Sequence, residues 1–343
     1  MVRDSDRPRG AHGSDLLTRC SNERAQRKCD VLLMRTMFRV TARACGLVFG
    51  AVPGWYMLLI EPVARRGTGT VQTVANGARY ELEMSEFVQR KFYFHAYERR
   101  ELRFLRSTLR AGDLFVDVGA NVGLLSLCAA QQVGEDGGVL AIEPDPINIA
   151  RLEANVRLNP RSQVTVLPVA IGATRGTVQL GMPESQVDIG NHGARSSASL
   201  ENQIEVELMP IDDAVAQWRV GADAVRLVKL DVEGMENDVV RGGPDLFGES
   251  THCVMLEVNR RYGGDELALE SLRQLGYDIH RLGAFARLRP WQPAPKTRPR
   301  ISSIARRLPA GIGPWVAGET RLTTAIATRR PGNRSTNCDR DQP

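Results

Sequence analysis

The run Leu114-Phe115-Val116-Asp117-Val118 followed by Gly119 and Gly123 constrains this chain more than any other stretch. An apolar segment ends at an acid, two glycines follow at close spacing, and an amphipathic segment, residues 124–132, comes next. That order reads as strand, tight turn, helix. The glycines let backbone approach a ligand closely, and the helix start offers free N–H groups to something polar or anionic. One βαβ unit later the apolar run Gly138-Val139-Leu140-Ala141-Ile142 ends in Glu143. A carboxylate there is placed to accept hydrogen bonds from ribose hydroxyls. Two acids at adjacent strand ends thus face one crevice.

The glycine spacing selects among nucleotide-like cofactors. A dinucleotide fingerprint has three glycines and room for a pyrophosphate. Here the pattern is G-x-x-x-G with Asp117 two residues before the first glycine. That carboxylate would repel a pyrophosphate and suit the ammonium of a methionyl group, so S-adenosylmethionine fits better than NAD. On this reading Asp117, Gly119, Asn121, Gly123 and Glu143 bind the cofactor, and the backbone of Ala170 meets the adenine beside the apolar walls of residues 168–172.

Several segments together resemble the FkbM family of S-adenosylmethionine-dependent methyltransferases: Tyr97-Glu98, Asp117 to Gly123, Glu143-Pro144, Val169 to Gly172, Lys229-Leu230-Asp231-Val232-Glu233-Gly234, and Glu257. The resemblance spans residues 95–283. It implies a class I, Rossmann-like α/β fold, doubly wound around a mostly parallel sheet with an antiparallel closing strand. It also implies O-methylation of a hydroxyl on a saccharide, glycolipid or polyketide-like product. Where the family often has alanine after the last glycine, this chain has Met235.

Strands are expected at residues 138–142, 164–167, 225–230 and 253–258, helices at 147–158, 235–241 and 267–275, and short extra strands at 177–180 and 205–208. Residues 278–282 and 285–288 would close the sheet. The methyl group of the cofactor is already activated, so the protein must align a nucleophilic oxygen, exclude water and accept a proton. Asp231 and Glu233 are the candidate bases, because i, i+2 spacing in extended chain sends both to one side of a strand end. Lys229 points the same way and pairs with Asp231 or orients substrate. Glu257 ends the next strand, where it faces the crevice as a candidate substrate contact or else caps a loop. His192 and Arg195, in a Ser-rich loop that resembles one in the family, are candidate substrate contacts in a lid. His95 precedes Tyr97 and Glu98 in an expected entry helix near the open side of the cofactor. A structural salt bridge at the strand end is the plain alternative for Lys229 and Asp231. No metal is expected.

The formal charge of +5 is uneven. Residues 1–44 carry ten Lys and Arg against five Asp and Glu, residues 284–343 twelve against three, and the middle 23 against 32. An acidic centre argues against a nucleic-acid groove across the site. The six cysteines form no C-x-x-C pair, so Cys128 and Cys253 are expected as small buried residues in a reducing, cytoplasmic setting. Residues 45–60 are almost free of charge but only sixteen long, with Pro53 inside, short for a membrane span. They are expected to pack on the domain or lie at a membrane surface. The domain divisions expected are a basic extension with that apolar segment at 1–66, a methyltransferase domain at 67–289, and a Pro/Arg-rich, disordered tail at 290–343. Rival readings are an NAD- or nucleotide-sugar-binding oxidoreductase of similar fold, and a non-catalytic S-adenosylmethionine-binding protein.

Overall fold

A computed structural model describes residues 60–64, 68–181, 203–218, 225–232, 234–259, 264–283, 286–291 and 322–330. In chain order the elements are α1 (Glu61–Ala64), β1 (Thr70–Ala75), β2 (Ala78–Glu83), α2 (Phe87–Tyr93), α3 (Arg99–Thr108), β3 (Leu114–Val118), α4 (Leu124–Val133), β4 (Gly138–Ile142) and α5 (Pro146–Arg157). They continue with β5 (Val164–Leu167), β6 (Ala170–Gly172), β7 (Gly176–Gly181), β8 (Gln203–Pro210), α6 (Ile211–Gln217), β9 (Val225–Leu230), α7 (Glu236–Arg241), β10 (Cys253–Asn259), α8 (Gly264–Gln274), β11 (Tyr277–Leu282), β12 (Leu288–Pro290) and β13 (Leu322–Arg329).

The main sheet has eight strands in the order β12-β11-β13-β10-β9-β3-β4-β5. Strands β10, β9, β3, β4 and β5 run parallel, and β13 runs antiparallel to both neighbours. Central parallel strands covered on both faces need unbroken apolar sequence. β4 is accordingly buried at every position. The helix that follows it starts cleanly because Asp145 accepts the Ile147 N–H at 2.7 Å and Pro146 occupies the first turn. Cys128 and Cys253 are buried, as their spacing led us to expect.

Outside the main sheet, β6, β8 and β7 form a three-stranded sheet; β7 and β8 are the extra strands expected from the sequence, and β6 joins them. β1 and β2 form a hairpin whose turn residues, Asn76 and Gly77, both have positive φ, the requirement of a two-residue turn that follows the strand twist.

Both domain boundaries move. β13 lies within the expected tail, yet it fills the gap between β10 and β11, with Ala325, Ile326 and Ala327 buried. The Pro/Arg-rich flanks hid an eight-residue β-former that the sheet needs. At the other end Glu61 pairs with the buried Arg90 at 2.7 Å, and Arg90 also donates to the Met84 and Ser85 carbonyls. The domain therefore reaches back at least to Ile60, itself buried. Residues 45–59 of the apolar segment lie outside the described residues. Among the described residues no helix is long and apolar enough to cross a membrane.

Candidate active site

The turn after β3 is held by backbone rather than left open. Gly119 and Ala120 N–H groups both donate to the Ile142 carbonyl at 3.0 Å, and the Asp231 N–H donates to the Val118 carbonyl at 3.1 Å. Gly119 has φ +80°, and a Cβ there would come within 1.9 Å of the Asp231 carbonyl oxygen. A Cβ on Gly123, φ +83°, would meet the Leu152 side chain at 2.5 Å. Both glycines thus admit other parts of the protein, where the sequence reading gave that space to a ligand.

Asp117 is also corrected. It is fully buried, its Oδ2 accepts from Ser126 Oγ at 2.6 Å, and its Oδ1 lies 3.5 Å from Lys229 Nζ. The parallel register puts Asp117 directly opposite Lys229, so the pair follows from strand alignment. Burial raises the Asp117 carboxyl against the pull of Lys229 and Ser126. Asp117 faces inward to anchor Lys229, not outward to an ammonium.

Glu143 keeps its assigned place at the end of β4. It is 6% exposed; Oε2 accepts the Asn121 N–H at 2.8 Å, and Oε1 accepts from Asp145 N at 3.1 Å and Asn148 Nδ2 at 3.5 Å. Burial pushes its carboxyl up to about 7 despite these donors. A carboxylate offers about four lone-pair sites. Three are used, which orients the group and leaves capacity for a hydroxyl such as that of a ribose. Asn121 has φ +52° and accepts the Val122 N–H on its own Oδ1 at 2.7 Å, which fixes the turn beside Glu143. Ala170 begins β6 opposite Leu208 and is buried.

At the far side of β3 the end of β9 assembles a charged cluster. Lys229 Nζ donates to the Gly119 carbonyl and to Asp231 Oδ2, each at 3.2 Å. Burial disfavours the ammonium, but Asp231, Asp117 and Glu98 more than compensate, so it stays charged. Register pairs Leu256 with Leu230 and so brings Glu257 alongside Asp231. For Asp231 burial acts upward, yet Lys229 and a hydrogen bond from Glu257 hold the carboxyl below its ordinary range. Glu257 goes the other way, raised first by burial and then by Asp231 and Glu98. One proton is therefore shared in this pair, with Asp231 the anion.

Two residues named in the motif but given no role complete the cluster. Tyr97 and Glu98 sit in the turn between α2 and α3, with Glu98 at φ +35°, so the expected entry helix is interrupted there and His95, φ +58°, lies in the same turn. Burial, Glu101 and Asp231 raise the Glu98 carboxyl to about 8, against Lys229 and the Tyr97 hydroxyl. Burial first, then Glu98, Asp231 and Glu257, raise Tyr97 well above its ordinary value. Thr324 of β13 stands opposite Glu257 and donates to Glu101. No sequence signal pointed to Glu101 or Thr324, because their partners lie more than two hundred residues apart in sequence. Glu233, His192 and Arg195 lie outside the described residues. Among the described residues no group of three or more His, Cys, Asp or Glu is arranged to hold a metal ion.

The parallel sheet, the glycine turn after β3 and the acid after β4 give the chain a Rossmann-like α/β fold of the class I methyltransferase type. Residues 117–279 match the methyltransferase FkbM domain. That part of the chain, just under half of it, is similar to the FkbM domain of S-adenosylmethionine-dependent methyltransferases. The chain is 27% identical over 251 residues to the 31-O-demethyl-FK506 methyltransferase FkbM of Streptomyces tacrolimicus, covering 64% of this chain and 90% of that one. To methyltransferase sdnD of Sordaria araneosa it is 25% identical over 201 residues, 51% of this chain and 77% of that one. Among solved structures, an S-adenosylmethionine-dependent O-methyltransferase from Thermotoga maritima aligns with TM-score 0.38 and 18% identity, over 70% of this chain and 68% of that one.

Proposed function

We propose that this chain transfers the methyl group of S-adenosylmethionine to a hydroxyl of a saccharide, glycolipid or polyketide-like acceptor. The observation that carries this reading is the Asp231–Glu257 pair held by Lys229 beside the β3 turn, an ionised carboxylate at a strand end. Its side chain is about a quarter exposed, at 24%, so a ligand can reach it. Glu143, two strands away across β3, supports ribose binding, and Asn121 holds it in place.

S-adenosylmethionine, when bound, supplies an activated methyl carbon. The protein's own work is to hold the acceptor oxygen in line and to take its proton. Asp231 is the acceptor for that proton, and Lys229, which cannot give up its own charge at neutral pH, keeps Asp231 oriented. Tyr97 and Glu98 line the same cluster. The name of the Streptomyces tacrolimicus relative, which specifies methylation at an oxygen, supports a hydroxyl acceptor. We also place the work in the cytoplasm, with residues 45–60 as a contact for a membrane surface when the acceptor is a glycolipid.

Incubation of the protein with methyl-labelled S-adenosylmethionine and the metabolites and glycolipids of cells lacking it, followed by mass spectrometry, tests the reading. One labelled methyl on a hydroxyl-bearing product is expected. Binding without transfer to any acceptor would favour the non-catalytic alternative, and retention of NAD in place of S-adenosylmethionine would favour the oxidoreductase.

A further inference from the structure

Carboxyls outnumber cations around Lys229. Its ammonium is taken up by Asp117 at 3.5 Å, Asp231 at 3.2 Å and the Gly119 carbonyl at 3.2 Å. Glu98 feels the charge of the same lysine, yet its Oε2 is buried with no hydrogen-bond partner. The groups that face Glu98 are Tyr97 from its own turn, Glu101 from α3, Lys229 and Asp231 from the end of β9, and Glu257 from β10. Behind Glu101 stands Thr324 of β13. All but Lys229 are acids or neutral hydroxyls. Among these described residues five carboxyls, Asp117, Asp231, Glu98, Glu101 and Glu257, surround the one ammonium of Lys229.

The sheet order says where a further positive charge would come from. β3 lies between β4 and β9. A ligand whose ribose rests on Glu143 and which crosses the β3 turn brings its other end to Asp231, Lys229 and Glu98. In S-adenosylmethionine the sulfonium, bonded to the ribose C5′ methylene, lies on that path between the ribose and the amino-acid end. The inference therefore rests on the cofactor assignment made under Proposed function.

We propose that Glu98 recognises the positive charge of S-adenosylmethionine: it holds a proton in the ligand-free protein and releases it when the sulfonium occupies the cleft, whereas the uncharged sulfur of S-adenosylhomocysteine leaves that proton in place. With its carboxyl raised to about 8, Glu98 is protonated at pH 7. An approaching cation favours the ionised form, so the proton leaves to solvent. The charges then balance through the reaction. As the acceptor oxygen bonds to the methyl carbon, the carbon–sulfur pair returns to sulfur and the hydroxyl proton passes to a carboxylate. The cluster regains the proton it lost on binding, and the neutral product is held without the charge that Glu98 recognised.

Calorimetry of both ligands at pH 7, in buffers of different ionisation enthalpy, tests this on the full chain. S-adenosylmethionine should release up to about one proton per site more than S-adenosylhomocysteine does. In Glu98→Gln that difference should vanish, and affinity for S-adenosylmethionine at pH 9 should fall about tenfold or more, while affinity for S-adenosylhomocysteine changes less than about threefold. For the wild-type protein alone, affinity for S-adenosylmethionine should weaken by up to about tenfold per pH unit below pH 8, which stands as the test if the variant does not fold. Equal proton release by the two ligands, or an undiminished difference in Glu98→Gln, overturns the proposal. A wild-type protein that binds neither ligand overturns the cofactor reading beneath it instead.

Discussion

Arg329 offers the sharpest test of whether the C-terminal strand belongs to the domain. Leu246–Ser250 forms a wide π turn, closed by the Thr251 N–H on the Leu246 carbonyl at 2.9 Å, which leaves carbonyls free to meet a side chain. The guanidinium of Arg329, only 8% exposed, donates to the Phe247 carbonyl at 2.7 Å, the Gly248 carbonyl at 2.6 Å and the Thr251 carbonyl at 3.3 Å. Tyr277 Oη, with one proton to donate, lies 3.1 Å from the Phe247 carbonyl and 2.8 Å from the Thr251 carbonyl. Arg329→Ala therefore removes charged hydrogen bonds worth about 1.5–3 kcal/mol each, while the Tyr277 hydroxyl still serves one of the three carbonyls. The net cost should be about 2–4 kcal/mol, a large share of a typical domain stability of about 5–15 kcal/mol. Urea unfolding followed by tryptophan fluorescence should show a midpoint lower by about 1 M or more with unchanged slope. A loss below about 0.5 kcal/mol would mean that β13 is not seated in the sheet as described.

Truncation after residue 320 removes β13 altogether and should leave a protein without a cooperative unfolding transition. Lys229→Met leaves the buried Asp117 without its cation and should cost about 3–5 kcal/mol in thermal or urea unfolding; the double variant with Asp117→Asn should cost less than the sum of the two single changes. Gly119→Ala forces a Cβ toward the Asp231 carbonyl at positive φ and should destabilise by more than about 1 kcal/mol. Asp231→Asn should slow single-turnover methyl transfer by roughly 10²–10⁴-fold at saturating cofactor. Because Lys229 depresses the Asp231 carboxyl, the wild-type rate should hold through neutral pH and fall only as pH drops below the ordinary carboxylate value of about 4; loss near pH 6 would contradict that role.

The parallel half of the sheet was legible because β3, β4, β9 and β10 are apolar runs ending in an acid, a lysine or an asparagine, and each such run is what a strand covered on both faces requires. The hairpin at Asn76-Gly77 carries an equally direct signal, an Asn-Gly pair between alternating residues. β13 was hidden for a different reason. Its alternation is short, its neighbours are prolines and arginines, and its place between β10 and β11 depends on a long return of the chain that no local pattern encodes. At the site, the spacing placed Lys229, Asp231 and Glu257 at adjacent strand ends, where the structure brings them together, and set Glu143 after β4. It could not show that Asp117 turns inward, since that depends on which residue of β9 stands opposite it. Nor could it show that Glu98 and Thr324 reach the same cluster, from a turn and a strand far apart in sequence.

Equilibrium binding of S-adenosylmethionine to the wild-type protein and to Glu143→Ala, with NAD as the competing ligand, tests the central claim most directly. Wild type should bind S-adenosylmethionine in preference to NAD, and Glu143→Ala, folded by circular dichroism, should bind it more weakly by about 1–3 kcal/mol. Unchanged affinity in the folded variant, or a wild-type preference for NAD, would contradict the assignment of the crevice at the ends of β3, β4 and β9.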